Sequence, residues 1–155
     1  DTNGGGLLIL DGGNFFQGNP LGIIDGGQTM IHWMNRIGYD ALVPGSYDFI
    51  SGAENLNGMA KIAAFPFLYS NLECNNCPLT HSNIKPYIIL ETAGVRVGIL
   101  GVVNSRLTEL ALAENLQGTS ADKEIPSIQK WVPAMKAEGT EIIIVLTRLI
   151  CFSRE

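Results

Sequence analysis

Two glycine-rich turns and one arginine are the residues best placed to do chemistry in this sequence. An apolar run from Leu7 to Leu10 ends in Asp11-Gly12-Gly13-Asn14. A second, Ala41 to Val43, runs into Pro44-Gly45-Ser46-Tyr47-Asp48, and a third, Glu141 to Thr147, ends at Arg148. Strand–turn–helix units present polar side chains at the carboxyl ends of neighbouring strands, where α/β sheets place their sites. The residue types favour an anion over a cation. Asn14 is neutral and coordinates only through its carbonyl oxygen, and Ser46 is a poor metal ligand unless deprotonated. Tyr47 can donate a hydrogen bond to a phosphate oxygen. Arg148 carries a fixed positive charge that repels metal and a planar fork that suits phosphate or carboxylate. Asp48 and Asn71 complete the candidate anion-contacting set. Plain structural readings stand beside these: Asn14 suits a left-handed turn, Tyr47 a surface position and Arg148 a solvated one.

Three cysteines are present. Cys74 and Cys77 form a C-x-x-C, and Cys151 stands apart. The pair reads as a loop disulfide, free thiols, half a metal site or a redox couple. A structural zinc needs two more ligands, and His81 is the near candidate. Pro78 follows the pair, so the haem-attachment pattern is absent.

The elements that position these residues alternate. Leu7 to Asp11 reads as a buried strand. Asp25 caps a helix through Met30, Ile31, Met34 and Ile37, which Gly38 stops. The apolar spacing there marks a core face, and His32 reads as a surface residue rather than a ligand. Ala41 to Val43 is a short strand. Ala53 to Ala63 is helical, with Leu56, Met59 and Ala60 inward. Phe67 to Ser70 is a strand, followed by a polar loop from Asn71 to Asn83. Pro86 to Thr92 and Val95 to Val103 flank Ala93-Gly94 as a hairpin. Ala121 to Glu138 is a helix with Pro126 in its first turn. Its stripe runs Ile125, Ile128, Trp131 or Val132, and Met135, with Trp131 buried and Pro133 interrupting the helix. Glu141 to Thr147 is the final strand.

Composition bounds the rest. A hydrophobic fraction of 46% and a charged fraction of 16% describe a core-rich globular chain. Residues 1–155 fit one domain. The net charge of −5, with no Lys/Arg run, argues against a nucleic-acid partner. Apolar stretches are strand-sized and interrupted, so no membrane partner is expected. Asp1-Thr2-Asn3 lacks the basic start and apolar region of a signal peptide.

Taken in order, several segments resemble one family. They are Leu8-Ile9-Leu10-Asp11-Gly12-Gly13-Asn14-Phe15-Phe16-Gln17-Gly18, Gly38-Tyr39-Asp40-Ala41, Gly45-Ser46-Tyr47-Asp48-Phe49, Phe65-Pro66-Phe67-Leu68, Lys85-Pro86-Tyr87, Gly94-Val95-Arg96-Val97-Gly98-Ile99-Leu100-Gly101 and Ile143-Ile144-Val145-Leu146. They are similar to the N-terminal catalytic domain of the 5′-nucleotidase family of calcineurin-like metallophosphatases. The resemblance implies an αββα sandwich of α/β class, here a partial domain without the family's first and last motifs.

It also implies a chemistry that these residues depart from. Family members hydrolyse phosphoesters of nucleotides with two divalent metals, zinc, manganese or similar. The family's bridging aspartate falls on Asn14, its ligand asparagine on Ser46 and its metal-binding histidine on Arg148. Its transition-state-stabilising histidine falls on Tyr47, and the aspartate that orients that histidine on Ile50. Two adjacent divalent cations need anionic bridges and imidazoles, so no metal is expected at the substituted site. The expected function is a catalytically degenerate domain that retains binding of a small phosphorylated or other anionic ligand. Two alternatives stay open: an active hydrolase in a full-length form, and a thiol or scaffold role through Cys74 and Cys77. The resemblance further implies a C-terminal domain in the full-length protein and a periplasmic or extracellular setting.

Overall fold

A computed structural model describes residues 5–18 and 20–148 of the chain. The apolar run at the start pairs only over β1 (Leu10–Asp11). Helices α1 (Pro20–Ile24) and α2 (Gln28–Ile37) follow, then β2 (Ala41–Leu42), α3 (Ala53–Ile62), β3 (Phe67–Leu68), β4 (Leu72–Cys74) and β5 (Ile84–Lys85). Next come the hairpin β6 (Tyr87–Thr92) and β7 (Val95–Val102), short helices α4 (Leu107–Leu110) and α5 (Ala113–Leu116), and β8 (Thr119–Ala121). Helix α6 (Glu124–Ala137) and β9 (Ile142–Thr147) close the order.

Two main sheets result. One is parallel, in the order β1-β2-β3-β5; the other runs β6-β7-β9, with β6 antiparallel and β9 parallel to β7. The alternation of β7 shows how they stack. Val97 and Ile99 face one way, packing with Ala41 and Leu68 of the parallel sheet. Leu100 and Val102 belong to a separate cluster with Met135 of α6. The outer side of the parallel sheet packs Leu42 and Phe67 against Ile31, Met34, Leu56 and Met59 of α2 and α3. Three apolar interfaces between four layers make the αββα sandwich, in line with the expected class. Gly101 is where the sheets touch: a Cβ there would stand 2.5 Å from the Leu68 carbonyl oxygen.

Several local expectations need correction. Leu7 to Asp11 is not a buried strand: only Leu10–Asp11 pairs as β1, at the edge of its sheet, and Leu7 is exposed. The polar loop from Asn71 contains β4, which pairs antiparallel with β8. Pro133 does not interrupt α6; it lies on an exposed face with Gln129, whose carbonyl Pro133 cannot reach with an N–H. Ile125 is exposed, so the stripe begins at Ile128. Trp131 is half-buried rather than buried, its indole N–H donating to the Ser70 carbonyl at 3.0 Å.

Capping and turns follow local chemistry. Gly38 ends α2 in a left-handed conformation, its N–H on the Met34 carbonyl. The Asp25 carboxylate accepts N–H bonds from Gly27 and Thr29 at 3.1 and 2.8 Å. The hairpin joins Thr92 to Val95 through two residues, Ala93 at φ 51° and Gly94 at φ 76°. Both values suit a type I′ turn, which favours Asn-Gly. Ala93 bears the Cβ penalty of that region, about 1 kcal/mol. Ala93→Asn is therefore expected to raise stability by about 0.5–1 kcal/mol. Chemical denaturation of both proteins would check this, and a destabilised variant would refute it.

Candidate functional site

The two glycine-rich turns interlock at the carboxyl ends of β1 and β2. Leu10 pairs with Ala41 and Asp11 with Leu42, and the Val43 N–H donates to the Asp11 carbonyl at 3.0 Å. Gly13 (φ 90°) passes so near the second turn that a Cβ would stand 2.4 Å from the Gly45 nitrogen. A Cβ on Gly45 would in turn lie 2.1 Å from the Asn14 side-chain oxygen. Asn14 itself is left-handed at φ 62°, a conformation that Asn tolerates better than most residues.

Asp48 ties the turns together. Its carboxylate is fully buried. One oxygen accepts N–H bonds from Asn14 at 2.7 Å and Gly45 at 2.8 Å; the other accepts from Phe15 at 3.0 Å. Burial nevertheless pushes its pKa up to about 7, against the pull of those three donors, and the nearby Asp11 carboxylate adds to the rise. Asn14 makes the return contact, its Oδ1 accepting the Tyr47 N–H at 3.1 Å. Asn14 and Tyr47 thus lie side by side, as the sequence led us to expect of the two turns.

The remaining candidates fall into three groups. Tyr47 (56% exposed) and Ser46 stand at the rim of the second turn. Arg148 follows β9 and is exposed. Asp11 is half-buried and accepts the Gly13 N–H at 2.7 Å. Burial raises its pKa, while the Gly13 bond and the charge of Arg148 pull the other way. Arg148 therefore acts electrostatically on the carboxyl end of β1.

Asn71 and Asp48, expected from sequence as anion contacts, direct their polar atoms at backbone instead. The buried Asn71 amide donates to the Val103 and Asp122 carbonyls and accepts the Val103 N–H. Buried, with both amide N–H groups engaged, it has no donor left for an anion.

Cys74 and Cys77 are joined by a disulfide, with Cα atoms 5.1 Å apart. Cys74 is exposed and Cys77 buried. His81 is a turn residue whose Nδ1 accepts the Asn83 N–H at 3.2 Å. Cys151 lies outside the described residues. Sequence reasoning missed the α4–α5 segment, whose Asn115 amide donates to the Ile50 carbonyl at 3.0 Å and holds the segment against the second turn.

Relatives bear on this arrangement. No family profile matches the sequence. The chain is 32% identical, over 90% of its length, to the trifunctional nucleotide phosphoesterase protein YfkN of Bacillus subtilis, and covers 11% of that protein. It is likewise 32% identical, over 90% of its length, to the 5′-nucleotidase of Bos taurus, covering 25% of it. The crystal structure of a 5′-nucleotidase precursor from Thermus thermophilus superposes with a TM-score of 0.85 at 28% identity, over 93% of this chain and 28% of that one. The chain belongs to the 5′-nucleotidase family of calcineurin-like phosphoesterases. It spans only about a tenth to a quarter of the curated relatives it matches.

The family's paired metals can be tested against the donors present. Asn14 Oδ1 is engaged by the Tyr47 N–H, Asp48 by three N–H groups, and Arg148 is a cation. Among the described residues no group of three His, Cys, Asp or Glu side chains could hold a metal ion. Asn14, Ser46 and Arg148 bring no anionic ligand of the kind that two adjacent divalent cations need.

Proposed function

We propose that this segment acts as an anion-binding, non-hydrolytic version of a phosphoesterase site. Arg148 supplies the charge, and the Ser46 and Tyr47 hydroxyls supply donors. The observation that carries the reading is the set of residues brought to the strand ends: neutral Asn14 beside Tyr47 in the interlocked turns, and the exposed cation Arg148 after β9, whose charge bears on Asp11. A guanidinium there attracts a phosphoryl group and opposes a metal, by about 4 kcal/mol per unit charge at 4 Å and an effective dielectric near 20. Asp48 holds the turns, and Asn71 ties Val103 to Asp122, without touching the ligand. The names of the relatives support a nucleotide or similar phosphorylated ligand, and the small share of each relative covered supports a further C-terminal domain. The proposal includes the setting outside the cytoplasm that the family resemblance implies. Among the described residues no helix is long and apolar enough to cross a membrane.

A second reading, hydrolysis by a longer form, draws on the same relatives: the parts of them that this chain does not cover leave room for other ligands. The test is elemental analysis after dialysis against manganese or zinc, run beside an AMP-hydrolysis assay and a phosphate titration. We expect far less than one metal per chain and turnover near background, because loss of even a ligand's supporting partner costs about 10–100-fold. Phosphate binding should be lost in Arg148→Ala. Two retained metals with ready turnover would overturn the proposal.

A further inference from the structure

The bridge between Cys74 and Cys77 adds little to what already holds its turn. A bridge across a sequence separation of three takes little freedom from the unfolded chain, so it stabilises less than one closing a long loop. The turn has other ties. Strands β4 and β8 pair from Leu72 with Ala121 to Cys74 with Thr119, and the Asn75 N–H donates to the Gly118 carbonyl at 2.9 Å. Gly118 passes so near that a Cβ there would stand 2.2 Å from the Asn75 carbonyl oxygen. On the other side Cys77 and Leu79, each 5% exposed, are anchored in the main core. The backbone on both sides therefore stays in place when the bridge opens, and the two sulfurs stay near each other.

The sulfurs differ in setting. Cys74 is exposed and Cys77 is buried, so an external thiol or disulfide reaches Cys74 first. The Cys77 N–H donates to the Cys74 Sγ at 3.2 Å. In the reduced pair the same donor faces a Cys74 thiolate and favours it, as a hydrogen bond to a charged form does. Burial among apolar side chains disfavours a thiolate at Cys77. An accessible sulfur with a donor, next to a sheltered one, divides the work between a nucleophilic and a resolving cysteine.

We propose that Cys74 and Cys77 form a thiol–disulfide exchange site for a small external disulfide, independent of the anion-binding reading above. The Cys74 thiolate attacks one sulfur of R–S–S–R. A Cys74–S–R bond forms, the R–S–S–R bond breaks, and RS⁻ leaves and takes a proton. The Cys77 thiol then loses its proton to solvent and attacks the Cys74 Sγ. The bridge closes and the second RS⁻ is expelled. Two electrons pass from the cysteine pair to the disulfide, and the reverse sequence with small thiols restores the dithiol.

The test uses the chain carrying Cys151→Ser, so that only the pair reports. Reduced protein mixed with glutathione disulfide should return to the bridged form and release glutathione, whereas Cys77→Ser should stop as a mixed disulfide on Cys74. Limited alkylation of the reduced pair, mapped by tandem mass spectrometry, should label Cys74 at least about tenfold faster than Cys77, and it needs no substitution within the pair. Circular dichroism should be the same for the oxidised and reduced chain. Equal labelling, or faster labelling of Cys77, would overturn the division of roles. A reduced chain that unfolds, or one that stays inert to glutathione disulfide, would make the bridge a structural staple and overturn the proposal.

Discussion

Asp48→Ala is expected to destabilise the chain by about 3–5 kcal/mol, the loss that follows when a buried hydrogen-bonded group leaves its partners unpaired. Three backbone N–H groups, of Asn14, Phe15 and Gly45, converge on this one side chain. Two belong to the first turn and one to the second, so the carboxylate is what holds the turns in register. Around them the Gly13 and Gly45 backbones already approach too closely for a Cβ. The variant should therefore weaken the whole fold and loosen the Tyr47 rim with it. Asp48→Asn should fall between, since its carbonyl can accept while its amide group faces donors. Urea denaturation would decide the matter. A change below about 1 kcal/mol for the alanine variant would mean that the turns hold each other without the carboxylate.

How far the sequence could lead is clear from the same residues. The hairpin at Ala93-Gly94 was legible because its cause is local: two residues, both with positive φ, between alternating strands. Helices α2 and α3 were legible from apolar spacing, and the family from the ordered segments. The role of Asp48 was not, because two of its donors lie more than 30 residues away in sequence and nothing in an isolated turn points to them. Asn71 misled for a related reason. An Asn at a strand end resembles a ligand, and only the fold brings Val103 and Asp122 onto its amide. Helices α4 and α5 are four residues each, too short for a period to show, so the segment held against the second turn was invisible. The edge position of β1 likewise depends on strand order, which apolar content alone does not reveal.

Lowering the pH from 7 towards 5 is expected to make the chain more stable. Burial pushes the Asp48 pKa up to about 7, from an ordinary carboxylate value of 3.8. Between those values the folded state binds a proton that the unfolded state has released. Stability from this group is therefore fully present below about pH 4 and is lost as the pH rises through about 7. A gap of about three pH units, at about 1.4 kcal/mol each, sets an upper bound of about 4 kcal/mol. Asp11, also raised by burial, acts in the same direction. Asp25 and Glu124 act in the opposite one. Hydrogen bonds from the Thr29 side chain and backbone lower the first; burial raises the second, but bonds from Ser105 and from its own backbone N–H together outweigh it and lower the pKa. Their contributions are present above their unfolded values and lost as the pH falls further, so the maximum should lie near pH 4–5. Urea midpoints measured at pH 5 and 7 test the sign. In Asp48→Asn, which cannot titrate, the difference between them should shrink sharply. A wild-type midpoint that is level or lower at pH 5 would show that the three N–H donors hold Asp48 ionised in spite of its burial.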